Sequence, residues 1–234
     1  MLHVWHALIY LGDGAVLMPC MALLFAWLMA DPASRRVGWW WLVAMLLVGG
    51  GVALSKLLYM MTGWHPAGWN FIGLSGHAAL AFLLFPVAAA LVTSRNRTAL
   101  RVILVTLGSC LALAISLSSL VLGDHSMTEL VLGGLWGALV AAGFLAIAWR
   151  QAMEAPLLRK WGAASVMLLA LVAYRHEFPS TELLAWVALH AGGRTTIYTR
   201  DDLGARAQLP SMAKDGRHVD SSTARARTPP SKNR

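Results

Sequence analysis

The sequence predicts an all-α protein, a polytopic membrane helical bundle of about six transmembrane helices. Of its 234 residues, 58% are hydrophobic and only 13% are charged, whereas a soluble domain carries about 25% charged residues. The mean hydropathy is +0.60. Apolar runs of about 20 residues recur along the chain, and each is long enough to cross a hydrocarbon core of roughly 30 Å. A soluble helical bundle would need polar helix faces, which these runs lack.

Each predicted span is an apolar run, and polar or basic residues mark most of the boundaries. A short interfacial lead-in over residues 1–7 precedes the first span. Arg35 and Arg36 precede the second span, Ser75 and His77 mark the start of the third, and Asp124 precedes the fifth. The six spans cover residues 8–30, 37–61, 72–93, 99–122, 126–149 and 160–175.

The composition divides the chain into three regions. Residues 1–176 form the membrane-embedded bundle, and residues 177–190 are predicted to form an amphipathic surface helix that begins after Pro179. Residues 191–234 hold nine Lys/Arg and four Asp/Glu, so this tail supplies +5 of the net charge of +8. Rich in Gly, Ser, Thr and Pro, the tail is predicted to be mostly disordered. It lacks the interleaved aromatic residues of a nucleic-acid binder, so the expected partner is the membrane and no nucleic acid.

The basic residues predict the orientation in the membrane. Arg and Lys concentrate in one set of connections, and the positive-inside rule assigns that set to the cytoplasm. Its members are Arg35, Arg36, Arg95, Arg97, Arg101, Arg150, Arg159 and Lys160. The other connections, Lys56–Ser75 and Gly123–Asp124, then face outward. We therefore expect a multi-pass protein of a bacterial-type inner membrane.

Ionisable residues collect at the outward ends of the spans, where they are functional candidates because ionisable groups at membrane depth cost energy. They are Lys56, His65, His77, Asp124, His125 and Glu129. His125 and Glu129 are four residues apart at the start of a helix, so they share one face. The carboxylate can fix the imidazole tautomer and leave the other ring nitrogen as a nucleophile or base.

The segment Ser75-Gly76-His77 opens the third span. A helix N-terminus offers unpaired N–H groups and a positive dipole end, which suit a phosphate. Gly76 would let the backbone approach the ligand closely, and Lys56 could extend to the same level from the end of the second span. Asp13 is predicted only to cap a helix or line the outer face, and it receives no role in the chemistry.

These residues resemble the type-2 phosphatidic acid phosphatase superfamily of membrane lipid phosphatases. The family's Pro-Ser-Gly-His block reads Leu74-Ser75-Gly76-His77 here. Its block of Ser-Arg, five residues, His, three residues and Asp reads Ser118-Ser119, five residues, His125, three residues and Glu129. The resemblance spans roughly residues 10–175.

The resemblance implies a metal-independent phosphatase with no cofactor, acting on a phosphorylated lipid through a phosphohistidine. His125 would attack phosphorus, Glu129 would orient His125, and His77 would protonate the leaving oxygen. The phosphate oxygens would be held by Lys56, Ser75, Gly76 and Ser118.

Two arginines of the family pattern are absent. The first-block Arg-Pro falls at Gly63-Trp64, and the third-block arginine is Ser119. Neither residue can replace the bidentate contact that arginine makes with phosphate. A protonated His65 is a candidate for one replacement donor.

Two alternative functions remain from the sequence. A non-catalytic relative that binds a phosphorylated lipid would explain the missing arginines. A small transporter would need a line of charged residues running inward through the spans, and the sequence shows none.

Overall fold

The computed structural model describes residues 2–93, 97–150, 180–192, 197–200 and 202. Within these residues the chain forms seven α-helices, which confirms the all-α prediction. They are α1 (Leu2–Leu11), α2 (Gly14–Ala30), α3 (Arg35–Thr62), α4 (Gly76–Val92), α5 (Thr98–Val121), α6 (Met127–Arg150) and α7 (Ser180–Gly192). The predicted span 160–175 lies outside the described residues, as does nearly all of the tail 191–234.

The chain divides into two units, residues 1–198 and residues 199–234. The first unit holds the helical bundle. In the second, the backbone N–H of Thr199 donates to the carboxylate of Asp202 over 2.6 Å.

Among the described residues, three helices are long and apolar enough to cross a membrane, namely α3, α5 and α6. The pair α1–α2 meets the same criterion as one broken span, bent by 40°. Leu54 of α3 is 69% exposed and Leu139 of α6 is 67% exposed. Such apolar outer faces suit contact with lipid, so the chain is a multi-pass membrane protein.

The first predicted span is a single run in the sequence but two helices in the structure. The break falls at Gly12 and Asp13, where the Asp13 carboxylate accepts a hydrogen bond from the N–H of Ala15 at 2.7 Å and caps α2. A β-carbon at Gly12 would lie 2.3 Å from Cγ2 of Ile115, so only glycine allows this close approach to α5. The prediction of Asp13 as a helix cap is confirmed, whereas the 40° bend at this cap is not visible in hydropathy.

The third predicted span begins at residue 72, whereas α4 begins at Gly76. The preceding residues form an irregular segment between Gly63 and Ser75. Gly63 has a φ of +66° and ends α3 by donating its N–H to the carbonyl of Tyr59 at 2.7 Å. Ser75 then caps α4 with its hydroxyl, which accepts from the N–H of Ala78 at 3.4 Å.

Helix α4 lies at the centre of the bundle and packs on α5 and α6. The contact with α6 is close because Gly133 and Gly137 face the α4 backbone. A β-carbon would lie 2.6 Å from the carbonyl oxygen of Ser75 at Gly133, and 2.2 Å from that of Ala79 at Gly137. Small residues that let backbones approach are the usual means of helix packing in lipid.

We expect Gly137→Ala to destabilise the bundle by about 1–3 kcal/mol, because the added methyl group meets a backbone carbonyl that cannot move aside. The matched control is Gly143→Ala on the same helix, since a β-carbon there meets nothing within 4 Å. Thermal unfolding in detergent, followed by tryptophan fluorescence, measures both variants. Equal unfolding temperatures for the two would contradict the proposed close packing of α4 and α6.

Candidate active site

The candidate site is built around Glu129. Its side chain is fully buried, and its carboxylate accepts hydrogen bonds from the start of α6 and from the segment before α4. Its Oε2 accepts from the N–H of Ser126 at 3.1 Å, and the Ser126 hydroxyl accepts from the N–H of Glu129 at 3.3 Å. This reciprocal pair is a capping box that starts α6. The Ser-x-x-Glu spacing that produces it is visible in the sequence.

The same carboxylate fixes the segment that leads into α4. Oε1 of Glu129 accepts from the N–H of Ile72 at 2.9 Å, and the carbonyl oxygen of Glu129 accepts from the N–H of Ser75 at 3.1 Å. The hydroxyls of Ser126 and Thr128 both donate to the carbonyl of Asn70. The first turn of α6 therefore sets the position at which α4 starts.

His125 lies against this carboxylate with Nδ1 3.2 Å from Oε2 of Glu129. A carboxylate that already receives N–H groups from Ile72 and Ser126 is an acceptor, so Nδ1 carries the hydrogen and Nε2 keeps its lone pair. The His125 side chain is 11% exposed. Its backbone N–H, like that of Asp124, points to the carbonyl of Ser119, at 3.4 Å and 3.0 Å. The imidazole is therefore oriented from both its ring and its backbone.

His77 lies beside His125, with the two ring centroids 5.6 Å apart and the planes at 64°. Its Nε2 is 3.8 Å from Oδ2 of Asp13, and the two side chains are 24% and 17% exposed. Two imidazoles thus face one small space, each with a carboxylate on its other side. This arrangement can place a nucleophile and a proton donor around one reacting atom.

A cavity of about 770 Å³ opens at this point of the bundle. Its polar wall includes His6, Tyr10, Asp13, Lys56, Gly76, His77, Asp124 and His125. Its apolar wall includes Ile9, Met18, Gly49, Val52, Ala53, Leu80 and Leu122. The surface helix α7 adds Thr181, Leu183 and Leu184. One chamber therefore combines a charged end with an apolar side.

The structure gathers four predicted site residues at the cavity, Lys56, Gly76, His77 and His125, with Glu129 directly behind His125. Lys56 packs closely on the segment before α4. A β-carbon at Gly73 in that segment would lie only 2.6 Å from the Cγ of Lys56. These residues come from the ends of α3 and of the α5–α6 turn and from the starts of α4 and α6, as the span assignment predicted.

Three other predicted residues lie in different surroundings. The Ser75 side chain is fully buried, and its hydroxyl caps α4. The Ser118 hydroxyl is also buried and donates to the carbonyl of Ile115 at 2.6 Å. The ring of His65 lies 6.4 Å from that of Tyr59, with Nδ1 3.1 Å from the carbonyl oxygen of Pro66. A direct contact of these three with phosphate stays a prediction.

The two positions where the resemblance expects arginine have backbone roles here. Gly63 ends α3 in a left-handed conformation, with φ at +66°, that a residue with a β-carbon rarely adopts. Ser119 is fully buried, and its hydroxyl donates to the carbonyl of Ser116 at 2.8 Å. Among the cavity-lining residues the cationic side chain is Lys56, while Asp13 and Asp124 are acidic.

The sequence did not reveal the contribution of the α1 residues His6 and Tyr10 or of the inner face of α7 to the cavity, and it assigned Asp13 no role in the chemistry. The polar pair Gly12-Asp13 inside an apolar run was the available indication for Asp13. No local pattern relates it to His77, because the contact is made between different helices.

The family described as the PAP2 superfamily matches residues 56–153. A curated relative, an "Uncharacterized 22.5 kDa protein in cps region" of Klebsiella pneumoniae, is 31% identical over 206 residues. That alignment covers 87% of this chain and 99% of the relative. No solved structure matches. The matched family region contains Lys56, His77, His125 and Glu129, and it leaves out Asp13.

We expect Glu129→Ala to lower the free energy of unfolding, since the buried N–H groups of Ile72 and Ser126 lose their acceptor. Each orphaned donor costs about 1–3 kcal/mol. The control is Glu182→Ala in the first turn of α7, where the side chain is exposed, with an expected change within about 0.5 kcal/mol. Thermal unfolding in detergent measures both. Equal unfolding temperatures for the two variants would show that Glu129 does not connect the segment before α4 to the start of α6.

Proposed function

This chain belongs to the PAP2 superfamily, and from that premise we propose that it is a membrane phosphatase that hydrolyses a lipid phosphate or an isoprenoid diphosphate through a phosphohistidine on His125. The membrane-embedded fold and the phosphatase family support the general class. The observation that carries the finer proposal is the His125–Glu129 pair facing His77 across one cavity.

The first chemical step is phosphoryl transfer to the enzyme. Nε2 of His125 attacks phosphorus with its lone pair, an N–P bond forms, and the bond from phosphorus to the leaving oxygen breaks. Protonated His77 gives its proton to that oxygen, so the lipid departs as an alcohol or as a monophosphate. Glu129 accepts a hydrogen bond from Nδ1–H, which stays on His125, and stabilises the positive charge that develops on the imidazole.

The second step regenerates the enzyme. Neutral His77 takes a proton from a water molecule as the water oxygen attacks phosphorus. The N–P bond breaks, its electron pair returns to Nε2 of His125, and inorganic phosphate leaves. His77 is again protonated, so the same group acts as acid in one step and as base in the next.

The phosphate oxygens meet donors at the charged end of the cavity. Lys56 supplies positive charge, and Gly76 lies at the N-terminus of α4, where N–H groups and the helix dipole attract an anion. Ser75 uses its hydroxyl for the cap and its N–H for Glu129. We therefore assign Ser75 to holding the start of α4 in place. Phosphoryl transfer depends mainly on such positioning and charge stabilisation.

The apolar side of the cavity supports a lipid as the substrate. Met18, Val52 and Leu80 continue from the charged end along α2, α3 and α4. At Gly49 the wall has no side chain, and a β-carbon would meet nothing within 4 Å. This opening has room for the first carbons of a hydrocarbon chain, which gains about 0.8 kcal/mol for each buried methylene.

The arrangement of charges supports an outward-facing, periplasmic site. Arg35 begins α3 and Arg101 lies near the start of α5. Lys56 lies near the other end of α3, and His125 follows the other end of α5. The positive-inside rule assigns the arginine ends to the cytoplasm. The phosphate would then be released outside.

Phosphate release from purified protein in detergent tests the proposed reaction. The substrates are phosphatidic acid, phosphatidylglycerol phosphate and undecaprenyl diphosphate. We expect His125→Ala to lower turnover by about 10³-fold or more, as loss of a nucleophile does. The control is His190→Ala on α7, an exposed histidine, which should match the wild type. Mass spectrometry of acid-free quenched enzyme should find phosphate on His125.

Equal and negligible release from wild type and His125→Ala would reject the phosphatase. Specific retention of a phosphorylated lipid under those conditions would favour a non-catalytic binding relative, which the absence of arginine at Gly63 and Ser119 motivates.

The apolar opening gives a second test. We expect Gly49→Leu to lower kcat/KM for a long-chain lipid phosphate by about tenfold or more, because the leucine side chain fills the space for the hydrocarbon chain, while a short-chain phosphate ester keeps its rate. Removing or blocking one or two methylene contacts is worth about 1–3 kcal/mol. The control is Gly50→Leu, since Gly50 is exposed and also has open space around it. Equal losses on long and short substrates would contradict a chain-binding role for this wall.

A further inference from the structure

The break between α1 and α2 brings a carboxylate into the site from outside the matched family region. Gly12 lets the break approach the site, since a β-carbon there would lie 3.5 Å from Cδ2 of His77 and 2.3 Å from Cγ2 of Ile115. The next residue is Asp13, which lines the cavity. The turn therefore packs directly on the imidazole that is proposed to donate the proton.

The two oxygens of Asp13 have different surroundings. Oδ1 accepts the N–H of Ala15 at 2.7 Å and caps α2, while Oδ2 lies 3.8 Å from Nε2 of His77. A cap needs only one oxygen, and asparagine serves about as well as aspartate in that position. The negative charge of Asp13 is therefore not explained by the cap. Both side chains are mostly withdrawn from water, which strengthens the attraction between a carboxylate and an imidazolium.

We propose that Asp13 is a positioning residue for His77, holding its ring in the cavity and favouring the protonated form that donates to the leaving oxygen. This inference rests on the phosphatase function proposed above. At 3.8 Å the Nε2–Oδ2 separation exceeds a hydrogen bond. Such contacts in unliganded sites often shorten when substrate is bound.

The charges around His77 explain why such a partner is needed. Burial of the ring opposes a positive charge on His77, as do His125 from the α5–α6 turn and Lys56 from α3, whereas Asp13 and Asp124 favour it. The proposed reaction requires Lys56, because its positive charge holds the phosphate. A carboxylate beside His77 partly offsets these effects and favours the imidazolium while the phosphate is bound.

Asp13 neither gains nor loses a proton during the proposed reaction. The imidazolium of His77 transfers its proton to the leaving oxygen as the phosphorus–oxygen bond breaks, and it becomes neutral. His77 regains a proton from water in the second step. Asp13 remains a carboxylate throughout and acts only through His77.

The leaving group distinguishes this role from a structural one. An alkyl phosphate needs a proton on the departing oxygen, whereas a nitrophenyl phosphate departs without one. We expect Asp13→Asn, which retains the cap, to lower kcat/KM for a short-chain alkyl phosphate by about 10- to 100-fold. The same variant should leave kcat/KM for nitrophenyl phosphate within about threefold of wild type. Both values report the first step, in which the leaving group departs.

The matched control is Asp31→Asn at the other end of α2, where the carboxylate also accepts from a local N–H and the side chain is remote from the cavity lining. It should match the wild type on both substrates. A double-mutant cycle supplies a second measurement: in a His77→Ala background, Asp13→Asn should change the alkyl phosphate rate by less than about threefold.

Equal losses on the two leaving groups, no loss on either, or a full additional loss in the His77→Ala background would each overturn the role of Asp13 while leaving the phosphatase intact. Absence of wild-type turnover on every phosphate ester would instead overturn the phosphatase, and this inference with it. Thermal unfolding of Asp13→Asn should match that of the wild type.

Discussion

The rest of the site depends on the hydrogen bonds that the buried carboxylate of Glu129 accepts. This carboxylate receives the N–H of Ser126 to start α6, the N–H of Ile72 to hold the loop before α4, and Nδ1 of His125 to orient that imidazole. A carboxylate withdrawn from water must be matched with donors, and here the donors come from separate parts of the chain. Satisfying one group therefore fixes two helix starts and one imidazole together. Aspartate, one methylene shorter, would have to move its backbone to reach the same donors.

The bundle gives these interactions a rigid frame in a solvent that offers no hydrophobic drive between helices. Gly133 and Gly137 bring α6 against the backbone of α4, next to Ser75 and Ala79. The N-terminus of α4 therefore lies close to the start of α6, and His77 of α4 lies beside His125 in the turn before α6. Helix packing and the geometry of the candidate site are set by the same contact, because lipid-embedded helices associate through close approach.

Local patterns in the sequence predicted the parts of the site that are local in the structure. The spacing of His125 and Glu129 predicted that they meet, although His125 lies in the turn before α6 and not on the helix itself. Apolar length identified α3, α5 and α6. The break at Gly12, the late start of α4 and the approach of Asp13 to His77 depend on contacts between helices, which hydropathy does not record. The surroundings of Ser118 also depend on packing. Its motif position suggests a phosphate contact, which stays a prediction. Its hydroxyl is buried and donates to the carbonyl of Ile115 at 2.6 Å, a contact that the sequence pattern did not indicate.

The conformations of Gly63 and Ser119 have a consequence for supplying the two arginines of the family pattern by substitution. An arginine at position 63 would place a β-carbon at φ of +66°, a strain of about 1–2 kcal/mol. One at position 119 would bury a guanidinium within the helix bundle, where an unpaired charge costs several kcal/mol. Each substitution meets a backbone that fits the smaller residue. Single substitutions at these two positions would therefore lower stability, whatever phosphate-binding donors they added.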